Sequence, residues 1–354
     1  MSGAALLCVL AAGLGTAGCR AFDESLLDGT ADAGAPCVPR TPPERPGTAS
    51  PTELGEQLFA LRDVRLEQPS DWRSIGYDLD GLCSDEPDPE VECVPPDEMG
   101  GVEVDGDDGI DNAAGHELFP FHLVLLGDLQ GPVRADQELG RGVTLVRVRG
   151  YNGEPDDDRV DVALALAAWG SAALPGGGPP DLPTDGSPPP PPVWDGTDYW
   201  WATEGSFLGG NPDEPLVRND NAYVSDGTLV VQLPERVPFI FSAAGFSFAL
   251  RLSDAVLTAR FTADGQGLER VILAGRWSIN DILDTFPTLG FCPGSVNEGR
   301  MIRLLDSAAD VRATPGTGGP AVDCDAISVG LEQTGVAGQW AGLAVAPLPP
   351  IACR

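Results

Sequence analysis

Residues 100–115 read GGVEVDGDDGIDNAAG. Within this stretch Asp105, Asp107, Asp108, Asp111 and Asn112 place four carboxylates and one amide in eight positions. Like charges packed that closely repel one another unless a cation sits among them. Calcium suits such a set, because it takes about six to eight hard oxygen ligands on a flexible loop.

The run from Asp105 to Asn112 resembles the D-x-D-x-D-G calcium loops of EF-hands, dockerins and thrombospondin type 3 repeats. It departs from the EF-hand. Counted from Asp105, the fifth position is Gly109, the sixth Ile110 and the twelfth His116, where the motif has Asp, Gly and Glu. The shorter repeat-type loops fit better, and they draw further ligands from elsewhere. Asp78 and Asp80, in the segment GYDLDGLC, are the natural second contributors. The plainer alternative is a solvated acidic turn with Asp111 as a helix N-cap.

Other chemistry is sparse. Residues 194–202, WDGTDYWWA, gather Trp194, Tyr199, Trp200 and Trp201, and flat aromatics beside Asp can stack on sugar rings. In a strand, Tyr199 and Trp201 share one face and Trp200 takes the other, so core packing is the stronger reading. His116 and His122 are the two histidines, and HELFPFH lacks the zinc-protease spacing. Ser247 in GFSFA lies inside an alternating strand and lacks the closing glycine of a nucleophile elbow. Neither a dinucleotide fingerprint nor a phosphate-binding P-loop is present. In so acidic a chain no pair of carboxylates stands out for glycoside hydrolysis.

The 354 residues carry a net charge of -33, with 54 acids against 21 bases, all of them arginine. The absence of lysine removes Schiff-base chemistry. The acidic balance repels nucleic acid and anionic lipid and attracts divalent cations. Residues 1–18, MSGAALLCVLAAGLGTAG, read as a signal peptide. Thr16-Ala17-Gly18-Cys19 resembles a bacterial lipobox, which makes Cys19 the lipidated residue and the lipid the route to the membrane. Thr stands where the motif usually has Leu, and no basic residues precede the apolar run; an ordinary signal peptide is the alternative. Arg20 follows instead of the Asp that retains lipoproteins in the inner membrane, which favours the outer membrane. Cys37, Cys83, Cys93, Cys292, Cys324 and Cys353 remain, an even number that suggests three disulfides in an exported chain. Cys83–Cys93, closing a short acidic loop, is the expected pair.

Residues 19–51, rich in Pro, Ala, Gly and Thr, read as a flexible tether. Residues 52–173 form an N-terminal β-rich part with the acidic loop. Residues 174–193, LPGGGPPDLPTDGSPPPPPV, are a linker or a surface loop. Residues 194–354 form a C-terminal β part with helices, and the two parts make either one domain or two. Period-two alternation marks strands over 143–150 and 159–169, a hairpin at Asp226-Gly227, and strands over 245–252, 255–262 and 268–277. Ser295 with Glu298 makes a capping box, and helices are also expected over 278–286 and from Asn112 to Leu118, with Pro120 breaking or kinking the latter. Strands at this spacing predict an antiparallel β-sandwich, jelly-roll or lectin-like, with a few peripheral helices.

The order GYDLDGLC, GGVEVDGDDGIDNAAG, a strand hairpin, AYVSDGTLVVQL, AVLTARF, LAGRW and CDAISVGL resembles a group of uncharacterised predicted lipoproteins of myxobacteria. The resemblance runs from about Ser74 onward and brings no activity with it. The leading expectation is an outer-membrane lipoprotein, a calcium-stabilised binding or adhesion module for carbohydrate or a surface protein. A secreted glycosidase-like enzyme and a structural envelope protein without a ligand are the alternatives. If Cys19 carries the lipid, a Cys19→Ala chain is released into the periplasm or medium. Retention of that variant in the membrane fraction overturns the lipoprotein reading.

Overall fold

A computed structural model describes residues 37–47, 54–84, 90–96, 104–183, 187–243, 246–345 and 353. Residues 1–36, with the expected signal peptide and Cys19, lie outside the described residues. The strands and helices below all belong to one compact unit, Pro39–Arg354.

Ten strands form the sheet: β1 (Gln57–Arg65), β2 (Thr144–Arg149), β3 (Asp157–Ser171), β4 (Tyr199–Thr203), β5 (Val217–Ser225), β6 (Thr228–Gln232), β7 (Val237–Ala243), β8 (Phe246–Phe261), β9 (Gly267–Ser278) and β10 (Ala326–Ala344). Eight of them close on themselves. The antiparallel order is β1-β2-β3-β5-β6-β8-β9-β10, and β10 pairs back onto β1, with Leu58 opposite Gly338 and Arg62 opposite Thr334. The remaining two strands are additions: β7 pairs with β8, and β4 wedges between β3 and β10.

The fold is therefore a closed barrel with extra strands and four helices, which corrects the sandwich expected from the sequence. Alternating apolar residues report that one face of a strand is buried. They do not report whether the sheet folds over or closes into a ring. The pairing that decides is β1 with β10, about 270 residues apart, a separation that no local pattern reports. The split between 245–252 and 255–262 is also corrected. Ser253-Asp254 reads as a turn but is a bulge inside one strand, β8, with Asp254 at φ 47°.

Inward residues fill the barrel. Phe59 and Leu61 of β1, Val146 and Val148 of β2, Val160, Val162 and Leu164 of β3, Leu257 of β8, Leu273 of β9 and Val329 and Leu331 of β10 share one apolar core. Each buried Val, Leu or Phe contributes roughly 1.5–3 kcal/mol. Helices α1 (Phe119–Leu126), α2 (Gln130–Glu138), α3 (Ile279–Leu289) and α4 (Val296–Ala308) add Phe119, Val133, Ile282, Phe286, Met301 and Leu305 to it.

Local signals behave as the chemistry requires. Asp226 and Gly227 both take positive φ, 48° and 72°, in the two-residue turn between β5 and β6. Ser278 Oγ accepts from Asp281 N and Ser295 Oγ from Glu298 N, each at 3.1 Å, capping α3 and α4. Pro120 does not end its helix. The helical backbone runs on without a break from a π-helical turn over Ala114–Leu118 into α1, with Pro120 near the junction.

The outer wall is covered by the segment 72–82, whose Ile75, Tyr77 and Leu79 pack on Val230, Val256, Ile272 and Ala274. Asn112 pins this cover to the barrel. Its Nδ2 donates to Gln68 Oε1 (2.9 Å), Trp72 O (3.2 Å) and Ile75 O (2.9 Å). Its Oδ1 accepts from Gly115 N (3.0 Å) and Gly330 N (2.8 Å). The side chain is 2% exposed, so any group left behind loses its partner without gaining water. Asn112→Ala is expected to destabilise the fold by about 3–4 kcal/mol. Asn112→Asp, which cannot donate to the three oxygens, should behave similarly. Urea unfolding checks both, and a loss below about 1 kcal/mol overturns the assignment.

Candidate functional site

Two loops carry the acidic residues onto the outer wall. Asp111 N donates to Tyr77 O at 3.1 Å, and Leu79 N returns a bond to Asp111 Oδ2 at 2.6 Å. At the other end Asp105 N donates to Ser84 O at 3.2 Å, and Ser84 N returns one to Asp105 Oδ2 at 2.6 Å. Residues 104–111 are thus clamped along 77–84. The clamp is tight at Gly109, at φ 74°. A Cβ there would stand 2.9 Å from Leu82 O and 3.0 Å from Cys83 Sγ.

The result brings Asp78, Asp80, Asp105 and Asp111 together. Asp78, Asp80 and Asp111 each offer a carboxylate oxygen within 4.8 Å of the others. Asp105 lies in hydrogen-bonding reach of Asp111, and Asp78 of Asp80. One oxygen of each is anchored by backbone amides. Asp78 Oδ1 accepts from Asp80 N and Gly81 N (3.1 and 2.6 Å), and Asp80 Oδ1 from Leu82 N (2.8 Å). Asp78 Oδ2 is buried and has no hydrogen-bond partner among the described residues.

Two further carboxylates face the cluster from distant parts of the chain. Asp310 Oδ1 accepts from Ser328 N at 2.8 Å, and Glu92 Oε2 accepts from Arg276 Nη1 at 2.6 Å and Arg312 N at 3.0 Å. Arg276, 1% exposed on the outer face of β9, is the cation that faces them; its Nη2 donates to Leu79 O. Asp80, Glu92, Asp105, Asp111 and Asp310 line a cavity of about 10 Å³. That is room for about one water-sized sphere.

Burial, then mutual repulsion, governs the charges. Burial pushes Asp80 up to about 6, with Asp78 and Glu92 adding to the rise. Burial pushes Asp105 up to about 7, with Asp80 and Asp78 adding. Asp111 is raised well above the usual carboxylate range by burial and by Asp80, Asp310 and Asp105. Asp78 is raised by burial too.

The other residues singled out in the sequence go elsewhere. Asp107 and Asp108 are exposed on a 3₁₀ turn and are not among the carboxylates brought together. Asn112 commits its amide to Gln68 and backbone groups, as described above. Trp200 and Trp201 are buried at 1% and 7% exposure, on opposite faces of β4. Trp200 stacks at a tilt on half-buried Trp194, centroids 5.0 Å apart, and Trp201 packs with half-buried Tyr199. The fit around Trp200 is close, since a Cβ on Gly170 would come within 2.3 Å of the indole. These four aromatics do not form one open platform.

Cys83–Cys93 is corrected. Cys93 bonds Cys324, and Cys292 bonds Cys353. Backbone pairing explains the first: Val94 N donates to Val322 O and Cys324 N to Val94 O, each at 2.8 Å, which sets Cys93 beside Cys324. Cys37 and Cys83 are also disulfide-bonded. Glu92, Asp310 and Arg276 carried no local sequence signal, because only the barrel and this pairing bring them to the loops.

No protein family, curated protein or solved structure matches the chain.

The raised values fix a pH dependence. A carboxyl whose folded pKa lies above its unfolded value holds more protons folded than unfolded. Its contribution favours the fold at low pH and is lost as pH rises through the folded value. In EDTA, wild type should therefore lose stability relative to Asp80→Asn/Asp105→Asn as pH rises from about 5 to about 8. Parallel melting curves for the two proteins across that range would show that these carboxylates are not raised.

Proposed function

We propose that this chain is an exported, lipid-anchored β-barrel whose acidic cluster takes up calcium, and that the ion locks the outer-wall loops of an envelope binding module. The observation that carries the reading is the convergence of Asp78, Asp80 and Asp111. Two oxygens on opposite sides of a calcium, each about 2.4 Å from it, stand about 4.8 Å apart. The three residues offer oxygens at that spacing or closer, with Asp105 beside them. Asp78 Oδ2 is buried with no hydrogen-bond partner among the described residues, and a coordinated cation would satisfy it instead. Arg276 is a single positive charge against six carboxylates, and two of its bonds go to Glu92 and Leu79 O.

The size of the cavity favours an ion over a sugar. A space of about 10 Å³ does not admit a glycosidic bond between two carboxylates. The carbohydrate reading keeps only Trp194 and Tyr199 as partly exposed aromatics, on opposite faces of β4. Export is supported by the disulfides Cys93–Cys324 and Cys292–Cys353.

Calcium at a hundredfold excess over its Kd adds about 2.7 kcal/mol, several degrees in Tm. Calcium should raise the melting temperature of wild type and EDTA should lower it. Asp80→Asn/Asp105→Asn should lose that difference and, in EDTA at neutral pH, melt above wild type, because it removes repelling charges. Asp107→Asn/Asp108→Asn, on exposed positions, should keep the full difference. Identical melting of wild type in calcium and EDTA overturns the calcium site.

A further inference from the structure

The outer wall carries a second charged site, of opposite sign. A cavity of about 240 Å³ opens over β6, β8 and β9, beside the extended residues 40–43. Arg40, Arg260 and Arg270 line it together with Thr228, Thr258 and Tyr77. Among the described residues the lining contains three guanidinium groups and no carboxylate, in a chain where acids outnumber arginines 54 to 21.

Three features say that these arginines are not held for stability alone. Arg40 Nη1 and Arg270 Nη2 both donate to one carbonyl, Ser74 O, at 3.3 and 2.9 Å, so two like charges converge on a neutral acceptor. The Arg260 guanidinium has no hydrogen-bond or ion-pair partner among the described residues. Arg270 sits at φ 48°, a left-handed conformation that costs a non-glycine residue roughly 1–2 kcal/mol. It does so at a bulge. Arg260 lies opposite Glu269 and Thr258 opposite Ile272, so Arg270 and Val271 together face Ala259. The extra residue lets Val271 stay in the core and Arg270 line the cavity next to Arg260. Acids stand at the margin: Glu332 Oε2 is 3.6 Å from Arg270 Nε, and Glu269 is the cross-strand neighbour of Arg260.

We infer that this cavity is a binding site for a phosphate or sulfate group carried on a small organic molecule. Guanidinium forks match the oxygens of a tetrahedral oxyanion and bind it through charge-assisted hydrogen bonds. The Thr228 hydroxyl adds a donor, and the Tyr77 and Thr258 hydroxyls, 2.8 Å apart, can turn one proton outward. The space exceeds what a bare phosphate fills, and the Tyr77 ring and Pro43 offer an apolar side for the carbon part of an ester. The inference does not rest on calcium at the acidic cluster.

Calorimetric titration of the folded protein in EDTA, so that no metal takes part, tests it with inorganic phosphate, glucose 6-phosphate and glucose. Glucose 6-phosphate is expected to bind and glucose not to. Tighter binding of the ester than of phosphate identifies the organic part as recognised, and equal binding identifies the oxyanion alone as the ligand. Arg260→Gln and Arg270→Gly should each weaken binding roughly tenfold or more. Glycine relieves the strained backbone, so Arg270→Gly should melt no lower than wild type, which separates lost binding from lost folding. The absence of heat from both phosphate compounds with wild type overturns the site. So does a double Arg260→Gln/Arg270→Gly chain that binds as tightly as wild type.

Discussion

The antiparallel pairing of β1 with β10 is the constraint from which the rest follows. It turns a meandering sheet into a ring, and a closed ring of eight strands has an interior just wide enough for its own side chains. Phe59, Leu61, Val162, Leu257 and Leu331 occupy that space. Chemistry is thereby displaced to the outer wall, where loops can bring charged groups onto a rigid surface. β10 sustains the ring because it is long, pairing β9 along one side and β1 then β4 along the other.

The two outer-wall sites share a support. Residues 72–82 cross β6, β8 and β9 with Ile75, Tyr77 and Leu79 against the strands. Ser74 and Tyr77 border the arginine cavity, while Asp78 and Asp80 belong to the acidic cluster. Strand β9 shows the same division. Arg276, at one end, is buried among carboxylates, and Arg270, six residues earlier, is exposed beside two other arginines. Neither cluster is favourable by itself, since each gathers like charges. Asn112 keeps the cover in place against that repulsion by bonding Trp72 O and Ile75 O of the cover and Gly330 N of β10 at once.

What the sequence revealed and what it hid divide along the range of the interaction. The Asp226-Gly227 turn and the Ser278 and Ser295 caps depend on neighbours within a few residues, and each is legible from spacing. β10 is not. Its glycines suggest a loop, yet Gly330 meets the Ile75 carbonyl, Gly335 meets Leu268 and Leu61, and Gly338 meets the Trp200 indole. Those glycines are small because other elements press against them, a reason invisible to a local reading. The acidic stretch divides the same way. Its composition draws attention to Asp105–Asn112, and the backbone decides which of those side chains come beside Asp78 and Asp80. Asp108 at φ 56° turns the chain so that Asp105 and Asp111 meet while Asp107 and Asp108 face solvent.

Charge bears differently on the two proposed sites that share this wall. With a net charge of -33, most of the surface repels anions and draws cations. A cation in such a field gains from the background, and burial of Asp80, Asp105 and Asp111 makes their charged forms costly while no cation compensates them. An anion site works against the background, and exposed charges alone would be screened within about 8–10 Å. It therefore requires several positive groups concentrated at short range, with carboxylates kept to the margin. The bulge at Arg270 and the convergence of Arg40 and Arg270 on Ser74 O supply that concentration at a cost in backbone strain and repulsion. A barrel wall closed by β10 is rigid enough to hold residues in such positions, where a freely moving loop would let them drift apart.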